Sequence, residues 1–234
     1  MTNKICIPQK LESAHKIYRY MDFDSLLQIL NGKFFVARKE TFSDYFDAIK
    51  SIPLVARFGF SSFGERISKE EYEQNEKRIN EIKESARWLT SCWTETYNNI
   101  LMWQAYTKGS CGVCIESTVN DFVESIKSDC EKVLYGKINY GCYSPIMKAE
   151  EYAFNKFPLY RDEREIRFYF IEGNEDKYGN SHKLFDIEPK KLIKSITFSP
   201  FIRNSESAEQ LKHLLENSFA FLKGKINTNR IRTI

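Results

Sequence analysis

Residues 160–170, "YRDEREIRFYF", combine closely spaced charges with a run of aromatic side chains. Glu163, Glu165 and Arg167 follow one another at intervals of two, and Phe168 to Phe170 come next. Side chains two apart share a face of a strand, so the segment predicts a strand that projects two carboxylates and a guanidinium together and is anchored by its aromatic end. The same spacing fits a solvated strand face with a weak charge ladder, and the spacing alone leaves both interpretations open.

Strand and helix patterns alternate irregularly along the rest of the chain. Strand-like segments are "HKIYRYMDF" (15–23), "KFFVAR" (33–38), "WLTSCWTET" (88–96), "CGVCIES" (111–117), "VLYGKINYG" (133–141) and "IKSITFSPFI" (193–202). Short helices are predicted at 24–32, near 100–108, at 147–158 and at 205–223, and a long charged helix at 67–87. Asp24 or Ser25 can cap the start of the first of these helices, and Asn31-Gly32 can end it. Because no regular strand–helix–strand repeat occurs, the pattern predicts an α+β fold with a mixed, mostly antiparallel sheet and peripheral helices, in a single domain spanning 1–234.

The composition favours a folded chain without a general affinity for polyanions. Hydrophobic residues make up 42% and aromatic residues 15% of the 234 residues, which is enough to fill a core. The net charge is only +3, so overall charge does not argue for nucleic acid. The basic excess is local, in the tail 223–234, which is either a solvated end or an arm that contacts phosphates.

The cysteines and the hydropathy indicate a cytoplasmic protein with reduced thiols. The first residues lack an apolar leader region, and no run reaches the length of a membrane span, so we expect no membrane partner. Cys111 and Cys114 form one CxxC pair, but a second pair is missing, and positions i and i+3 of a strand lie on opposite faces. A structural zinc site is therefore not predicted.

Familiar catalytic motifs do not occur in the sequence. There is no GxGxxG, P-loop, HExxH or GxSxG pattern, which argues against the corresponding dehydrogenases, NTPases, zincins and hydrolases. A carboxylate magnesium site stays open, because Asp44 and Asp47, with Glu163 and Glu165, would suit a metal-dependent nuclease. Asp44 alternatively caps the helix that follows it.

Several segments, taken in order, resemble the bacterial family called domain of unknown function 2971. The matching pieces are "YRY" (18–20), a helix with glycine at 26–32, "SDYFD" (43–47), "SCW" (91–93), "MWQAY" (102–106), "GVCIE" (112–116), and the late strand with Tyr160, Glu163, Glu165 and Arg167. The resemblance covers roughly residues 16–200. It departs from the family pattern at the charged helix 67–87, at Tyr160, where tryptophan is commoner, and at Tyr45, where proline is usual.

The layout is also similar to that of ADP-ribosyltransferases, and this resemblance implies a split-sheet fold with NAD as substrate. Such enzymes offer an arginine from the first strand, here Arg19, and a serine or threonine with an aromatic residue from a middle strand, here Ser91 or Thr90 with Trp93. Their late strand carries the catalytic glutamate, here within Glu163-x-Glu165. "TSC" at 90–92 departs from the Ser-Thr-Ser of that superfamily.

The resemblance implies a role for each candidate. Arg19 would bind the pyrophosphate, Glu165 would hold the ribose 2′-hydroxyl and stabilise the oxocarbenium ion, Glu163 would orient the acceptor, and Arg167 would moderate the repulsion between the carboxylates. The candidates for stacking on nicotinamide are Tyr20, Trp93, Trp103 and Tyr106.

Simpler interpretations stay open for several of these residues. Arg19 alternatively pairs with Asp44 or Asp47 as a structural arginine, and Met102, Trp103 and Tyr106 alternatively pack the core. We expect an NAD-dependent ADP-ribosyltransferase-like enzyme, suited to a bacterial defence or toxin role, with a nucleic-acid or protein acceptor. The alternatives are a non-catalytic module that binds nucleic acid or protein, and the metal-dependent nuclease.

Overall fold

The fold is α+β, with helices placed around a mixed, mostly antiparallel sheet, which confirms the predicted class. The computed structural model describes residues 3–6, 11–41, 68–85, 88–107, 111–141, 149–172, 180–202 and 204–228. Its helices are α1 Phe23–Leu30, α2 Lys69–Ser85, α3 Ile100–Thr107, α4 Val119–Ser125, α5 Ala149–Ala153, α6 Pro189–Leu192 and α7 Ser205–Ser218. Its strands are β1 Asn3–Cys6, β2 Lys16–Met21, β3 Lys33–Arg38, β4 Leu89–Thr94, β5 Val113–Thr118, β6 Lys132–Lys137, β7 Asn139–Tyr140, β8 Asn155–Lys156, β9 Glu165–Ile171, β10 His182–Asp186, β11 Ser195–Phe198 and β12 Ile226–Asn227.

The chain divides into two compact units. The first unit consists of residues 1–10, 36–91 and 129–183, and the second of residues 11–35, 92–128 and 184–234. The expectation of a single domain over 1–234 stays a prediction. Within the described parts of the chain, no helix combines the length and the apolar character needed to cross a bilayer.

The first unit is built around strands β1, β6 and β9. Strand β6 pairs with β1 in parallel and with β9 in antiparallel orientation, and β7 and β8 form a short parallel pair beside them. Residues 166–170 of β9 are buried on both faces, and apart from Arg167 their side chains are apolar or aromatic. The core includes Leu134, Ile138, Ala153, Phe154 and Tyr169. The predicted charged helix is present as α2, and it packs against α5.

The second unit is built around strands β2, β5, β11 and β12. Strand β5 pairs in antiparallel orientation with β2 on one side and with β11 on the other, and β12 joins β11 in parallel. Strand β12 lies within the tail that was predicted to be basic and solvated, so part of that tail is ordered in the sheet. Arg230 and Arg232 of the tail lie outside the described residues.

Helix α1 shows how local sequence places the second unit's elements. The Asp22 carboxylate accepts a hydrogen bond of 2.8 Å from the Ser25 backbone N–H, so Asp22 is the N-cap, two or three positions before the Asp24 or Ser25 that sequence suggested. Leu26, Ile29 and Leu30 are its buried face. Gly32, at φ +78°, ends the helix in the left-handed region, which glycine tolerates best.

A close backbone approach in the second unit requires glycine at position 112. A Cβ atom on Gly112 would lie 2.4 Å from Thr107 Cγ2 and 2.7 Å from the Met21 carbonyl oxygen. The end of α3 and the end of β2 therefore meet at this residue, at the entrance to β5.

Candidate functional site

A cavity of about 370 Å³, here called the Arg19 cavity, lies within the second unit. Its lining residues are Arg19, Tyr20, Met21, Asp22, Ser25, Gln28, Ile29, Phe34, Phe35 and Tyr106. Three of the residues predicted to bind NAD, Arg19, Tyr20 and Tyr106, are among them. The volume is at the small end of the range of about 300–1,000 Å³ that is usual for ligand pockets.

The half-buried Arg19 side chain is held between a carbonyl group and aromatic rings. Its Nη1 lies 3.5 Å from the Cys92 carbonyl oxygen, and its Cζ lies 4.8 Å from the centre of the Phe34 ring and 6.0 Å from that of Trp93. Burial lowers the pKa of Arg19 from its ordinary value, but arginine starts so high that the group stays cationic. A positive charge is thus fixed in the wall of the cavity.

Aromatic rings of different exposure surround this charge. Phe34 is almost fully buried, whereas Phe35 and Tyr106 are 44% and 46% exposed. The exposed rings offer apolar faces to a planar ligand. The Asp22 carboxylate, also in the lining, is occupied in capping α1.

The other predicted stacking residues pack inside the protein. Trp103 is fully buried, its ring meets Tyr20 edge-on with centres 4.7 Å apart, and its indole N–H donates to Asn98 Oδ1 at 3.1 Å. Trp93 is 3% exposed and packs against Phe34 and Phe122. The alternative of core packing therefore describes Trp103. Trp93, for which no such alternative was given, is buried as well, and we do not carry the stacking role of either residue further. Tyr106 is the exception, because its ring is exposed.

Tyr20 has a structural task besides lining the cavity. Its hydroxyl donates to the Thr96 carbonyl oxygen at 2.8 Å and accepts from the Asn99 backbone N–H at 3.0 Å. Asn99 in turn caps α3, since its Oδ1 accepts from the Leu101 N–H at 2.8 Å. Burial is the main cause that raises the pKa of Tyr20, so the hydroxyl stays protonated and keeps both bonds.

The charged residues of the opening segment form a buried cluster in the first unit, here called the ionic cluster: Lys156, Glu163, Glu165 and Arg167. Arg167 Nε donates to Glu165 Oε1 at 2.6 Å and its Nη2 to Oε2 at 2.9 Å. Lys156 Nζ lies 3.2 Å from Glu165 Oε2 and 2.8 Å from Glu163 Oε2. Arg167 is fully buried and Glu165 is 4% exposed, so the solvated strand face is excluded for these two residues.

Polar groups around the cluster complete its hydrogen bonds. Arg167 Nη1 donates to the Ala153 carbonyl oxygen at 3.1 Å, and the Tyr169 hydroxyl donates to the same oxygen at 2.6 Å. The Glu165 backbone N–H donates to the Tyr140 hydroxyl at 2.7 Å. Burial, reinforced by the nearby Glu165 and Glu163 charges, raises the pKa of Tyr140, which therefore stays neutral.

The prediction that Glu163 and Glu165 share a strand face is wrong. Glu163 ends a 3₁₀ helix at Pro158–Glu163, and β9 begins only at Glu165. Arg164 between them is in the left-handed conformation, at φ 43° and ψ 52°. The two carboxylates are brought together by Lys156 and not by the two-residue period of a strand. The Glu163 side chain keeps 24% of its surface exposed and is the accessible carboxylate of the pair.

Lys156 is the functional-site residue that sequence reasoning missed. It falls in a segment, 147–158, whose pattern suggested a helix, but α5 ends at Ala153 and Lys156 lies in strand β8. The available signal was Pro158, because a helix usually ends at or before the residue that precedes a proline, here Phe157. Its ammonium group also lies 4.5 Å from the centre of the Tyr160 ring.

The remaining candidates are placed as follows. Ser91, in the first unit, is 1% exposed, and the hydroxyl of the adjacent Thr90 donates to the Trp88 carbonyl oxygen at 3.0 Å.

The cysteines and carboxylates that the structure describes show no metal site. Cys111 is exposed and Cys114 is buried, and neither forms a disulfide. Among the residues that the structure describes, no group of three or more histidine, cysteine or carboxylate side chains is arranged to hold a metal ion. Asp44 and Asp47 lie outside the described residues.

Comparison with models of known protein families gave no match, and comparison with curated proteins gave none either. The resemblances drawn from sequence therefore stay predictions.

Proposed function

We propose that the chain is an NAD-dependent enzyme of the ADP-ribosyltransferase type, with the dinucleotide bound at the Arg19 cavity. The observation that carries the proposal is the convergence of Arg19, Tyr20 and Tyr106, which were chosen from sequence as NAD contacts, on one cavity. Cavities with aromatic walls and a few placed polar groups are the usual form of small-molecule sites.

Arg19 supplies the charge that such a ligand needs. A guanidinium presents several N–H donors in a fixed plane, which suits phosphate oxygens. Its packing against Phe34 limits the rotation of that plane, so less freedom is lost when an anion binds. The exposed Tyr106 ring supports the same proposal, because it can cover a planar base.

The proposed reaction breaks the bond between nicotinamide and the ribose C1′. The bonding electrons leave with nicotinamide, the ribose gains oxocarbenium character, and an acceptor nucleophile forms the new bond to C1′ and loses its proton. A carboxylate stabilises the developing positive charge. Glu165 is almost fully buried and engaged by two cations, whereas Glu163 is partly exposed, so of the two glutamates suggested from sequence Glu163 is the one to test for this role. A bacterial defence or toxin role belongs to the same proposal.

A binding protein without catalysis is the second candidate, and the state of Glu165 favours it. Both carboxylate oxygens already accept charged hydrogen bonds, which is typical of a structural ion cluster. This candidate predicts ligand binding without turnover. The metal-dependent nuclease is not supported by any described residue cluster.

The test measures NAD binding by calorimetry and nicotinamide release by chromatography with the purified chain. Arg19→Gln is expected to weaken NAD binding about tenfold or more, the loss expected for a charge-assisted hydrogen bond. Arg161→Gln, at an exposed arginine of the first unit, is the matched control and should bind as the wild type does. Absence of both binding and release would overturn the proposal, and binding without release would establish the second candidate.

Glu163→Gln separates catalysis from stability. Because Glu163 is partly exposed, the variant should fold and bind NAD normally but release nicotinamide at least about a hundredfold more slowly, within the usual range for loss of an acid–base or electrostatic group. Unchanged release would remove Glu163 from the reaction.

A further inference from the structure

The Arg19 cavity is small for a whole dinucleotide. Its volume of about 370 Å³ lies close to the lower limit of ligand pockets. A dinucleotide consists of two planar rings, two sugars and a pyrophosphate, whereas a pocket of this size suits one ring with its sugar. Its lining residues all belong to the second unit.

The charges in the lining suit one acid group and disfavour several. Arg19 supplies a cation, and Asp22 supplies a carboxylate in the same lining. A single phosphate or carboxylate can pair with the one guanidinium of the lining. A chain of phosphates would add negative charge to a cavity whose lining already holds the Asp22 carboxylate, and like charges repel.

The apolar part of the lining indicates the rest of the ligand. Phe35 and Tyr106 present rings that are about half exposed, and Phe34 lies behind the guanidinium. Rings of this kind stack on planar heterocycles with little regard to their identity. We infer that the cavity binds a planar ring that carries one acid group, of the size of a nucleoside monophosphate, with the acid on Arg19 and the ring against Phe35 and Tyr106.

This inference rests on the proposed function in that it concerns the same cavity, and it means that only one half of NAD enters. Adenine and nicotinamide mononucleotides share the required chemistry. The test includes both mononucleotides, and their relative affinities show which half of the dinucleotide enters the cavity.

The test is a calorimetric series on the full chain with AMP, nicotinamide mononucleotide, adenosine, ribose 5-phosphate and ATP. At least one of the two monophosphates should bind. Adenosine and ribose 5-phosphate should each bind with an affinity at least about tenfold lower than that of the tighter monophosphate. ATP should bind no more tightly than the preferred monophosphate. The tighter of the two monophosphates identifies the half of the dinucleotide that enters.

Two variants assign the contacts. Arg19→Gln should abolish the difference in affinity between the preferred monophosphate and adenosine. Phe35→Ser should weaken every ring-containing ligand about fivefold or more, in line with the stacking energy of one base, and leave ribose 5-phosphate unchanged. Phe35 is 44% exposed, so this variant keeps the test valid even where Arg19→Gln fails to fold. Leu214→Ser, at an exposed leucine outside the lining, is the matched control.

The outcomes separate this inference from the proposed function. If neither monophosphate binds more tightly than adenosine, or if ATP binds more tightly than the preferred monophosphate, the inference is overturned. NAD consumption without monophosphate binding would overturn it and leave the proposed function standing. Monophosphate binding without NAD consumption would support it and overturn the proposed enzyme.

Discussion

Replacing Glu165 with glutamine tests whether the ionic cluster holds the first unit together. The amide keeps the shape of the carboxylate but removes the negative charge that engages Arg167 and Lys156. Arg167 is fully buried and cannot regain water, so its charge would stay uncompensated in the interior. Removing one partner of a buried pair costs about 3–5 kcal/mol of unfolding free energy. For a chain of this size that corresponds to a fall in melting temperature of roughly 6–20 °C.

The measurement is thermal and urea unfolding followed by tryptophan fluorescence and circular dichroism. Glu73→Gln is the matched control, because Glu73 and Lys69 form a 3.9 Å pair on helix α2 with 66% and 85% of their side chains exposed. That variant should change the stability by less than about 0.5 kcal/mol. The double variant Glu165→Gln/Arg167→Gln should cost less than the sum of its single variants, since each removes the same interaction. Equal costs for Glu165→Gln and Glu73→Gln would refute the structural role of the cluster.

Three further predictions concern the second unit. Tyr20→Phe leaves two backbone groups without their hydroxyl partner and should lower the unfolding free energy, measured by urea titration, by about 1–3 kcal/mol. The control Tyr72→Phe, on the exposed face of α2, should change it by less than about 0.5 kcal/mol in the same titration. Gly112→Ala forces a methyl group against backbone and side chain and should cost about 1–3 kcal/mol by denaturant midpoint, so a wild-type midpoint would contradict the close approach. Burial raises the pKa of the Cys114 thiol, so iodoacetamide at mildly alkaline pH should modify exposed Cys111 in the folded chain and reach Cys114 only on unfolding. Peptide mass spectrometry would measure this labelling, and early labelling of Cys114 would refute its burial.

Sequence reasoning predicted best where a local pattern determines the structure. Within the charged, glycine-free stretch at 67–87, residues 69–85 form helix α2, and the Asn31-Gly32 pair ends α1 as expected. The aromatic run at 168–170 packs into the core, as expected from its composition. These features depend on spacing and on side-chain type within about ten residues, which a sequence displays directly.

The candidate site was harder to predict because its contacts join distant residues. The convergence of Glu163 and Glu165 depends on Lys156 and on the left-handed Arg164, and neither the strand period nor the composition indicates such a bend. Arg19 and Tyr106 were chosen by resemblance, and only the fold of the second unit shows that they line one cavity. The difference between Trp103, which is buried, and Tyr106, which is exposed, comes from tertiary packing around α3 and not from helical spacing.

The hydroxyl of Tyr20 ties the two walls of the Arg19 cavity to each other. Its strand carries Arg19, and its bond to the Asn99 N–H holds the residue that starts α3, the helix that carries Tyr106. Fraying of α3 would therefore remove Tyr106 from the cavity while Arg19 stays in place. A ligand that bridges both walls would oppose this fraying, so the amide protons of α3 should exchange with deuterium more slowly when the cavity is filled. Hydrogen exchange along one short helix would then report occupancy without any knowledge of the reaction.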